Sequence, residues 1–391
     1  MQHSSERILT THTGSLPRPP SLQDLLYAQE RGEAVDEAIF EREAREAVNA
    51  VVRQQASCGL DIIDDGEMSK ISYGTYVKDR LSGFEGTGAP PGFQAWSDLF
   101  EFPEYAQRML AALPIAGAKF SSCAGPITYM STQHLEHDLA NLKAALHDME
   151  PADTFMTAAS PGVITFFMGN EYYPSHEAYL YALADAMKAE YDAICQAGFL
   201  LQLDCPDLTL TKSNAAVIFG DQVAASDSED AGEKLRALHV EALNHATRDI
   251  PPDRMRMHVC WGNYEGPHHY DVPLRDLIGA LLRARPAALV LEGANPRHAH
   301  EWQVFEEVKL PEGKLLVLGV LDTTTNFIEH PELIAQRLVR VAHLVGRERV
   351  MAGTDCGFAT FAGMHIVDPR IAWAKMQAMV EGARLASQQL W

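Results

Sequence analysis

A histidine and a cysteine stand two residues apart in "MHVCWGN", residues 257–263. Residues two apart in a β-strand project to the same face. A strand ending near Cys260 would therefore offer one nitrogen and one sulfur, from His258 and Cys260, to a common point. Further along, "LVLEGANP" brings Glu292 and "MAGTDCGF" brings Cys356, each just past an apolar run. Zinc accepts nitrogen, thiolate and carboxylate ligands in a tetrahedron, and a site gathered from several strand ends needs no Cys-x-x-Cys pairing. By spacing alone the question stays open. His-x-Cys can arise by chance in a chain with 16 His and 6 Cys, and a single buried cysteine is more often a small apolar filler than a ligand.

The elements that must position these groups form a regular pattern. Nine β-like runs recur: "RILTTHTGS", "LDIIDD", "AKFSSCAG", "TFMTAAS", "FLLQLD", "RMRMHVC", "AALVLEG", "KLLVLGVLD" and "RVMAGTD". Between most of them lie helical stretches such as "DEAIFEREAREAVNAVVRQQASCG", "SHEAYLYALADAMKAEYDAICQAG" and "PELIAQRLVRVAHLVGRERV". Strand–helix alternation over the whole length specifies a parallel sheet covered by helices. Nine runs suit a TIM-type (β/α)8 barrel with one extra strand. A doubly wound open sheet is the alternative, but no Gly-x-Gly-x-x-Gly turn follows the first run. In a barrel, reactive groups belong at the C-terminal strand ends. Those ends hold Ser15, Asp65 with Glu67, Asp204, His258 with Cys260, Glu292, Asp322, and Asp355 with Cys356. Strands buried on both faces would end in apolar residues if nothing happened there. The expectation is one barrel domain over residues 1–391, with a Pro- and Gly-rich excursion or lid at 84–115.

Bulk properties narrow the partners. A net charge of −21 repels phosphate backbones and anionic lipid, which argues against nucleic acid and membrane surfaces. No apolar run reaches the eighteen or so residues of a membrane span, and the first residues carry no apolar signal segment, so a cytoplasmic location is expected. The six cysteines are scattered, as thiols of a reducing compartment would be. Nothing in the sequence bears on oligomeric state.

Seven segments, "TTHTGSLPR", "GLDIIDDGEMSK", "GFLLQLDCPD", "HVCWGN", "LVLEGANPR", "LGVLDTTTN" and "MAGTDCGF", run in order from about residue 8 to 360. On these the chain resembles the C-terminal catalytic domain of cobalamin-independent methionine synthase, especially the short single-domain members of that superfamily. The resemblance implies a TIM-type barrel of the methionine synthase and uroporphyrinogen decarboxylase group, with Zn2+ on His258, Cys260, Glu292 and Cys356. It also implies that Glu67 and Asp204 hold the homocysteine amino group and that Ser15 meets the carboxylate. Each has a plain alternative: Glu67 as a helix cap, Asp204 as an orienting group, Ser15 as a turn residue. Asp322 and His12 are the candidates for catalytic roles. His268, His269, His298 and His300 sit in polar loop stretches and are read as exposed or substrate-facing rather than as ligands.

The chemistry fits a thiol substrate. A thiol of pKa near 8.5 is mostly protonated at neutral pH, and coordination to zinc deprotonates it. Two thiolates and a carboxylate leave such a centre electron-rich, which suits alkyl transfer to sulfur better than activation of water. The resulting expectation is a zinc-dependent alkyltransferase that activates a small thiol as a zinc-bound thiolate, with methyl transfer to homocysteine as the leading case. Three departures from the family leave the methyl donor open. No histidine follows Asp322 until His330, Phe166 and Phe167 stand at the likeliest equivalent of the Trp on which the family stacks a pterin, and the N-terminal barrel of the folate-dependent enzymes is not expected here; Cys205 also replaces the acid of "DEP". A zinc-dependent thiol–epoxide transferase of the coenzyme M type is the rival enzyme, and a non-catalytic zinc or amino-acid binding protein the rival of another class.

Overall fold

The computed structural model describes residues 1–88, 97–112, 120–210, 230–364 and 366–391. Its strands are β1 (Ile62–Ile63), β2 (Phe84–Gly88), β3 (Phe120–Cys123), β4 (Asp153–Ala159), β5 (Leu200–Asp204), β6 (Met255–Val259), β7 (Ala288–Leu291), β8 (Leu315–Leu321) and β9 (Val350–Thr354). Seven of them form one parallel sheet in the order β1-β4-β5-β6-β7-β8-β9.

The two edges of that sheet are joined by the N-terminal run. Thr11 N donates to Ala352 O at 2.8 Å and Ala352 N to Leu9 O at 2.9 Å, while Asp61 N and Ile62 N both donate to Thr10 O. "RILTTHTGS" thereby fills the eighth barrel position as a bridge and not as a full strand. The reason is local: the Asp61 side chain takes Thr10 N and Thr10 Oγ1, at 2.8 and 2.9 Å, so a carboxylate replaces backbone partners in the ladder. The ninth run, β3, lies outside the barrel and pairs antiparallel with β2.

The covering helices begin and end where their sequences specify. The helix Glu37–Cys58 is capped by the Asp36 side chain, which accepts from Ala38 N and Ile39 N, and it stops at Gly59 in the left-handed region at φ 87°; both are standard ends. Ser175 caps His176–Gln196 in the same way. Among the described residues no helix is long and apolar enough to cross a membrane.

Strand alternation decides what faces the lumen. On β6, Met255, Met257 and Val259 join the core shared with the helices, which turns Arg256 and His258 inward. The bottom of the lumen is apolar, with Leu9, Ile62, Phe155, Leu200, Ala288, Val290, Val317 and Met351 packed together. One rung towards the C-terminal strand ends the register aligns Thr157, Gln202 and Arg256, and one rung further Asp204 and His258. Arg256 forms the floor of the polar half. It donates to Thr11 Oγ1 (2.9 Å) and His12 O (2.6 Å), and its guanidinium lies 4.0 Å from the centre of the Phe155 ring.

Within the expected excursion at 84–115, residues 89–96 and 113–115 lie outside the described residues. The remainder is β2 and the helices Ser97–Phe100 and Pro103–Ala112. Asp98 anchors it to the loop after β6, accepting from the Tyr264 hydroxyl at 2.7 Å and from His268 N at 2.8 Å.

Candidate metal and substrate site

His258 sits on β6, Cys260 one residue past its end, and Cys356 two residues past β9. All three are buried, and their ligand atoms lie within 4.8 Å of one another. Backbone anchors fix each one: Cys205 N donates to His258 O (2.8 Å), Thr209 Oγ1 to Cys260 O (2.9 Å) and Thr354 Oγ1 to Cys356 O (2.8 Å). Both ring nitrogens of His258 lack a hydrogen-bond partner. Buried polar atoms are nearly always paired, so an unpaired imidazole facing two thiols has the chemistry of a metal ligand. A hydrogen bond from Cys356 and the neighbouring His258 together hold the Cys260 thiol well below its ordinary range, against the opposing effect of burial.

Glu292, the fourth residue of the expected set, stands beside this trio and not within it. It follows β7, and its oxygens accept from Trp261 N at 2.9 Å and Asn295 Nδ2 at 2.7 Å. Burial above all, with the nearby Cys260 charge, pushes its carboxyl well above the usual range. Asp355, next to Cys356, fixes the loop that carries it by accepting from Gly293 N, Ala294 N, Asn295 N and Asn295 Nδ2 at 2.8–2.9 Å. Gly319 makes room for that clamp, since a Cβ there would lie 2.2 Å from Asp355 Oδ1. A cavity of about 320 Å3 opens over Glu292, Cys356, Asn263, Asp322 and His298.

Across the lumen is a carboxylate wall. Glu67 is buried and holds φ at +57°, a conformation a non-glycine residue keeps only when its surroundings enforce it. The Asp65 side chain accepts from Glu67 N (3.0 Å) and Arg18 Nε donates to Glu67 O (3.1 Å), which supplies the enforcement. Glu67 Oε1 accepts from Thr157 Oγ1 at 2.9 Å, while Oε2 has no hydrogen-bond partner and lies 3.8 Å from Arg18. Asp204 ends β5; burial and the Glu67 charge push its carboxyl up to about 7. A buried carboxyl facing a second carboxylate invites a cation. Ser15 is packed so tightly on Gly357 that a Cβ there would lie 1.9 Å from Ser15 Oγ, and Phe358 N donates to Ser15 O. The N-terminal run is thus locked to the Cys356 loop.

Two sequence candidates have other duties. His12 accepts from Gly14 N through Nδ1 (3.2 Å), so its Nε2 carries the proton and donates to Gln55 Oε1 at 2.7 Å. Burial pushes its pKa down to about 3. Both ring nitrogens of His12 are bonded within the fold, and burial favours its neutral form. Asp322 closes its own turn, Oδ1 accepting from Thr324 N and Oγ1 at 2.8 Å and Oδ2 from Thr325 Oγ1 at 3.1 Å. It borders the cavity as a loop brace.

His298 lines the cavity and stands outside the metal trio, as expected, but it is not exposed. It is buried, stacked on Trp261 with ring centroids 4.0 Å apart, and bonded to Asp271 and Glu301 at 3.0 and 3.3 Å. Those carboxylates outweigh burial and push it up to about 10. Sequence reasoning missed its partner Asp271, 27 residues earlier. It also missed the chain Ser160–Asp207–His239–His176, linked at 2.7–2.9 Å. Only the second acid of "DCPD" hinted at the latter.

Residues 268–384 match the family described as "Cobalamin-independent synthase, Catalytic domain". Over 385 residues the chain is 23% identical to a methionine synthase of Saccharolobus solfataricus, covering 97% of this chain and 95% of that protein. It is 24% identical over 382 residues to a methionine synthase of Thermococcus kodakarensis, covering 97% and 94%. Its fold matches a B12-independent methionine synthase from Shewanella sp. W3-18-1, solved in complex with selenomethionine, with a TM-score of 0.70 at 17% identity over 98% of this chain and 99% of that one. A putative vitamin-B12 independent methionine synthase from Listeria monocytogenes matches with a TM-score of 0.64 at 19% identity, over 100% and 99%. Over nearly its whole length the chain is similar to methionine synthases of similar length, and it shares the barrel fold of the two B12-independent structures.

Proposed function

We propose that this protein is a homocysteine methyltransferase that forms methionine, with a zinc ion held by His258, Cys260 and Cys356 and Glu292 poised beside them. The observation that carries this reading is the unpaired, buried His258 ring facing two thiols at the C-terminal mouth of the barrel. One nitrogen and two sulfurs are a donor set suited to zinc. Zinc held there would keep the sulfur of an incoming thiol anionic and nucleophilic at neutral pH.

The remaining work belongs to the polypeptide. Glu67 Oε2, which has no hydrogen-bond partner, and Asp204 receive the substrate ammonium, and the Ser15 segment meets its carboxylate. Holding both ends of the amino acid fixes where its sulfur lies, and positioning of this kind removes much of the entropic barrier to a two-substrate reaction. Glu292 is tethered by Trp261 N and Asn295, close enough to Cys260 and Cys356 for their charges to act on one another. It can give way to a substrate sulfur without losing its own hydrogen bonds. The methyl donor enters from the cavity above Glu292 and Cys356.

The test is metal analysis of the purified protein and of Cys260→Ser and Cys356→Ser, followed by incubation with homocysteine and a panel of methyl donors and epoxides. One zinc per chain in the wild type, its loss in both variants, and methionine detected by mass are the expected results. A wild-type protein that neither contains nor takes up zinc would refute the reading. Product formation from epoxides alone would transfer the same apparatus to thiol–epoxide chemistry.

A further inference from the structure

We infer that Tyr73 is a positioning residue of this site, its hydroxyl donating a hydrogen bond to the sulfur of the bound thiol. The inference rests on the homocysteine reading above and adds to it a residue outside the metal trio and the carboxylate wall.

Tyr73 reaches the site through a short pairing of two loops. Ala362 N donates to Ile71 O (2.8 Å), Tyr73 N to Thr360 O (3.3 Å), and Ser72 bridges Phe361. The loop after β1 is thereby laid along the segment that follows Cys356. The ring is held edge-on by Phe167 and Phe361, with centroids 5.5 and 6.1 Å away. Gly74 permits this approach, because a Cβ there would lie 2.5 Å from the Phe167 ring.

The hydroxyl is what sets Tyr73 apart. Buried tyrosines normally find a partner for the O–H, and the fully buried ones here do. Tyr76 and Tyr129 donate to Glu190, Tyr179 to Met168 O, Tyr191 to Ala159 O and Tyr264 to Asp98. The half-buried Tyr73 hydroxyl has no hydrogen-bond partner among the described residues, although its ring is fixed on two sides. Burial and the surrounding Cys260, Cys356, Asp204 and Asp207 all disfavour a phenolate, so Tyr73 keeps a proton that it can donate. The substrate ammonium can only donate and is taken by the carboxylates, and the substrate carboxylate is assigned to the Ser15 segment. The sulfur, which arrives beside the two thiols, is the acceptor that remains. A hydrogen bond to the thiolate stabilises the bound substrate and limits rotation about its Cγ–S bond, which aims the attacking lone pair at the donor.

The test uses zinc-loaded wild type, Tyr73→Phe and Tyr73→Leu. It measures zinc content, binding of homocysteine and of 2-aminobutyrate by calorimetry, and steady-state kinetics. Removing a neutral donor from a charged acceptor should weaken homocysteine binding about 10- to 100-fold. In Tyr73→Phe zinc content and 2-aminobutyrate binding should stay unchanged, and KM for homocysteine should rise while KM for the methyl donor does not. If Tyr73→Phe binds homocysteine as the wild type does and only Tyr73→Leu is impaired, the ring merely packs and the inference is overturned. An equal loss for homocysteine and 2-aminobutyrate also overturns it, because the contact would then be to the amino-acid group. Failure of the wild type itself to bind homocysteine would overturn the functional reading, a result distinguishable from both.

Discussion

His12 offers a quantitative test of the buried network beneath the site. In the folded protein its pKa is pushed down to about 3, against 6.5 for the free side chain. As pH falls below 6.5 the unfolded chain takes up a proton that the folded chain refuses until about pH 3. The stability associated with neutral His12 is therefore complete above pH 6.5 and is lost progressively between 6.5 and 3. A gap of some 3.5 units corresponds to about 5 kcal/mol across that window, or about 1.4 kcal/mol per pH unit. Asp64 Oδ1 lies 3.3 Å from Nε2 and would favour the imidazolium. Its carboxyl, however, is itself held well above the normal range by burial and by Asp65, and the Nε2 proton is already committed to Gln55. In His12→Asn the amide oxygen can replace Nδ1 as acceptor for Gly14 N, while the bond to Gln55 is lost. At pH 8 this variant should be less stable than wild type by about 1–3 kcal/mol. By pH 5 the wild type alone has lost about 2 kcal/mol, so the two should converge or cross. Denaturant unfolding at pH 8, 6.5, 5.5 and 5 measures the difference. A constant gap from pH 8 to pH 5 would show that His12 takes its proton inside the fold, and the assignment of a neutral structural histidine would be wrong.

Glu292→Gln separates a ligand from a neighbour: Gln can still accept from Trp261 N, so zinc stoichiometry should persist with affinity lowered about 10- to 100-fold, whereas either cysteine variant loses the metal. Competition with a chromophoric chelator reads both, and complete loss of zinc in Glu292→Gln would place the carboxylate among the obligatory ligands. Lys375 is wholly buried and pairs with Glu329 at 3.0 Å, and Glu329 in turn accepts from Asp322 N. Lys375→Met should cost about 3–5 kcal/mol, since it leaves a carboxylate buried without its counter-charge. Lys375→Met/Glu329→Gln should recover most of that loss in denaturant unfolding, and equal destabilisation of single and double variants would refute the pairing argument.

What could be read from the sequence was local. The inward pairing of His258 with Cys260 follows from the period of a strand, and "MRMHV" alternates apolar and polar residues visibly enough to set the face. Helix ends at Asp36, Gly59 and Ser175 were equally plain, because caps act within three or four residues. The approach of Cys356 to His258 was not local. It depends on closing the barrel, in which Thr10 bridges β1 and β9; the shared position at C-terminal strand ends suggested it and the family resemblance strengthened it. The length of the first strand was misjudged because Asp61, fifty-one residues away from Thr10, supplies a carboxylate in place of a ladder partner. The roles of His12 and His298 were hidden for the same reason, their partners Gln55 and Asp271 being 43 and 27 residues distant. Asp322 was legible in principle: an acid followed by three threonines is an invitation to close a turn.

The distribution of unpaired polar atoms explains why the site lies where it does. Buried atoms without partners include Asp64 Oδ2, Glu67 Oε2, Gln202 Oε1, Arg18 NH2 and both nitrogens of His258, and these residues come from the polar end of the lumen or from the segments that edge it. Each such atom costs on the order of 1–3 kcal/mol, and a barrel selected for stability alone would have continued its apolar lower layer upward. The lower layer and the helix-facing core are almost wholly apolar, so most of these atoms gather at the mouth of the lumen, with Arg236 Nε and Glu329 Oε2 as exceptions outside it. The strained φ of Glu67 belongs to the same region. Unsatisfied donors, unsatisfied acceptors and strain gathered in one place would be relieved together if, as proposed, a cation met the carboxylates and a metal met His258. On that proposal, the cost of leaving these groups unpaired is a direct source of the site's affinity for its ligands.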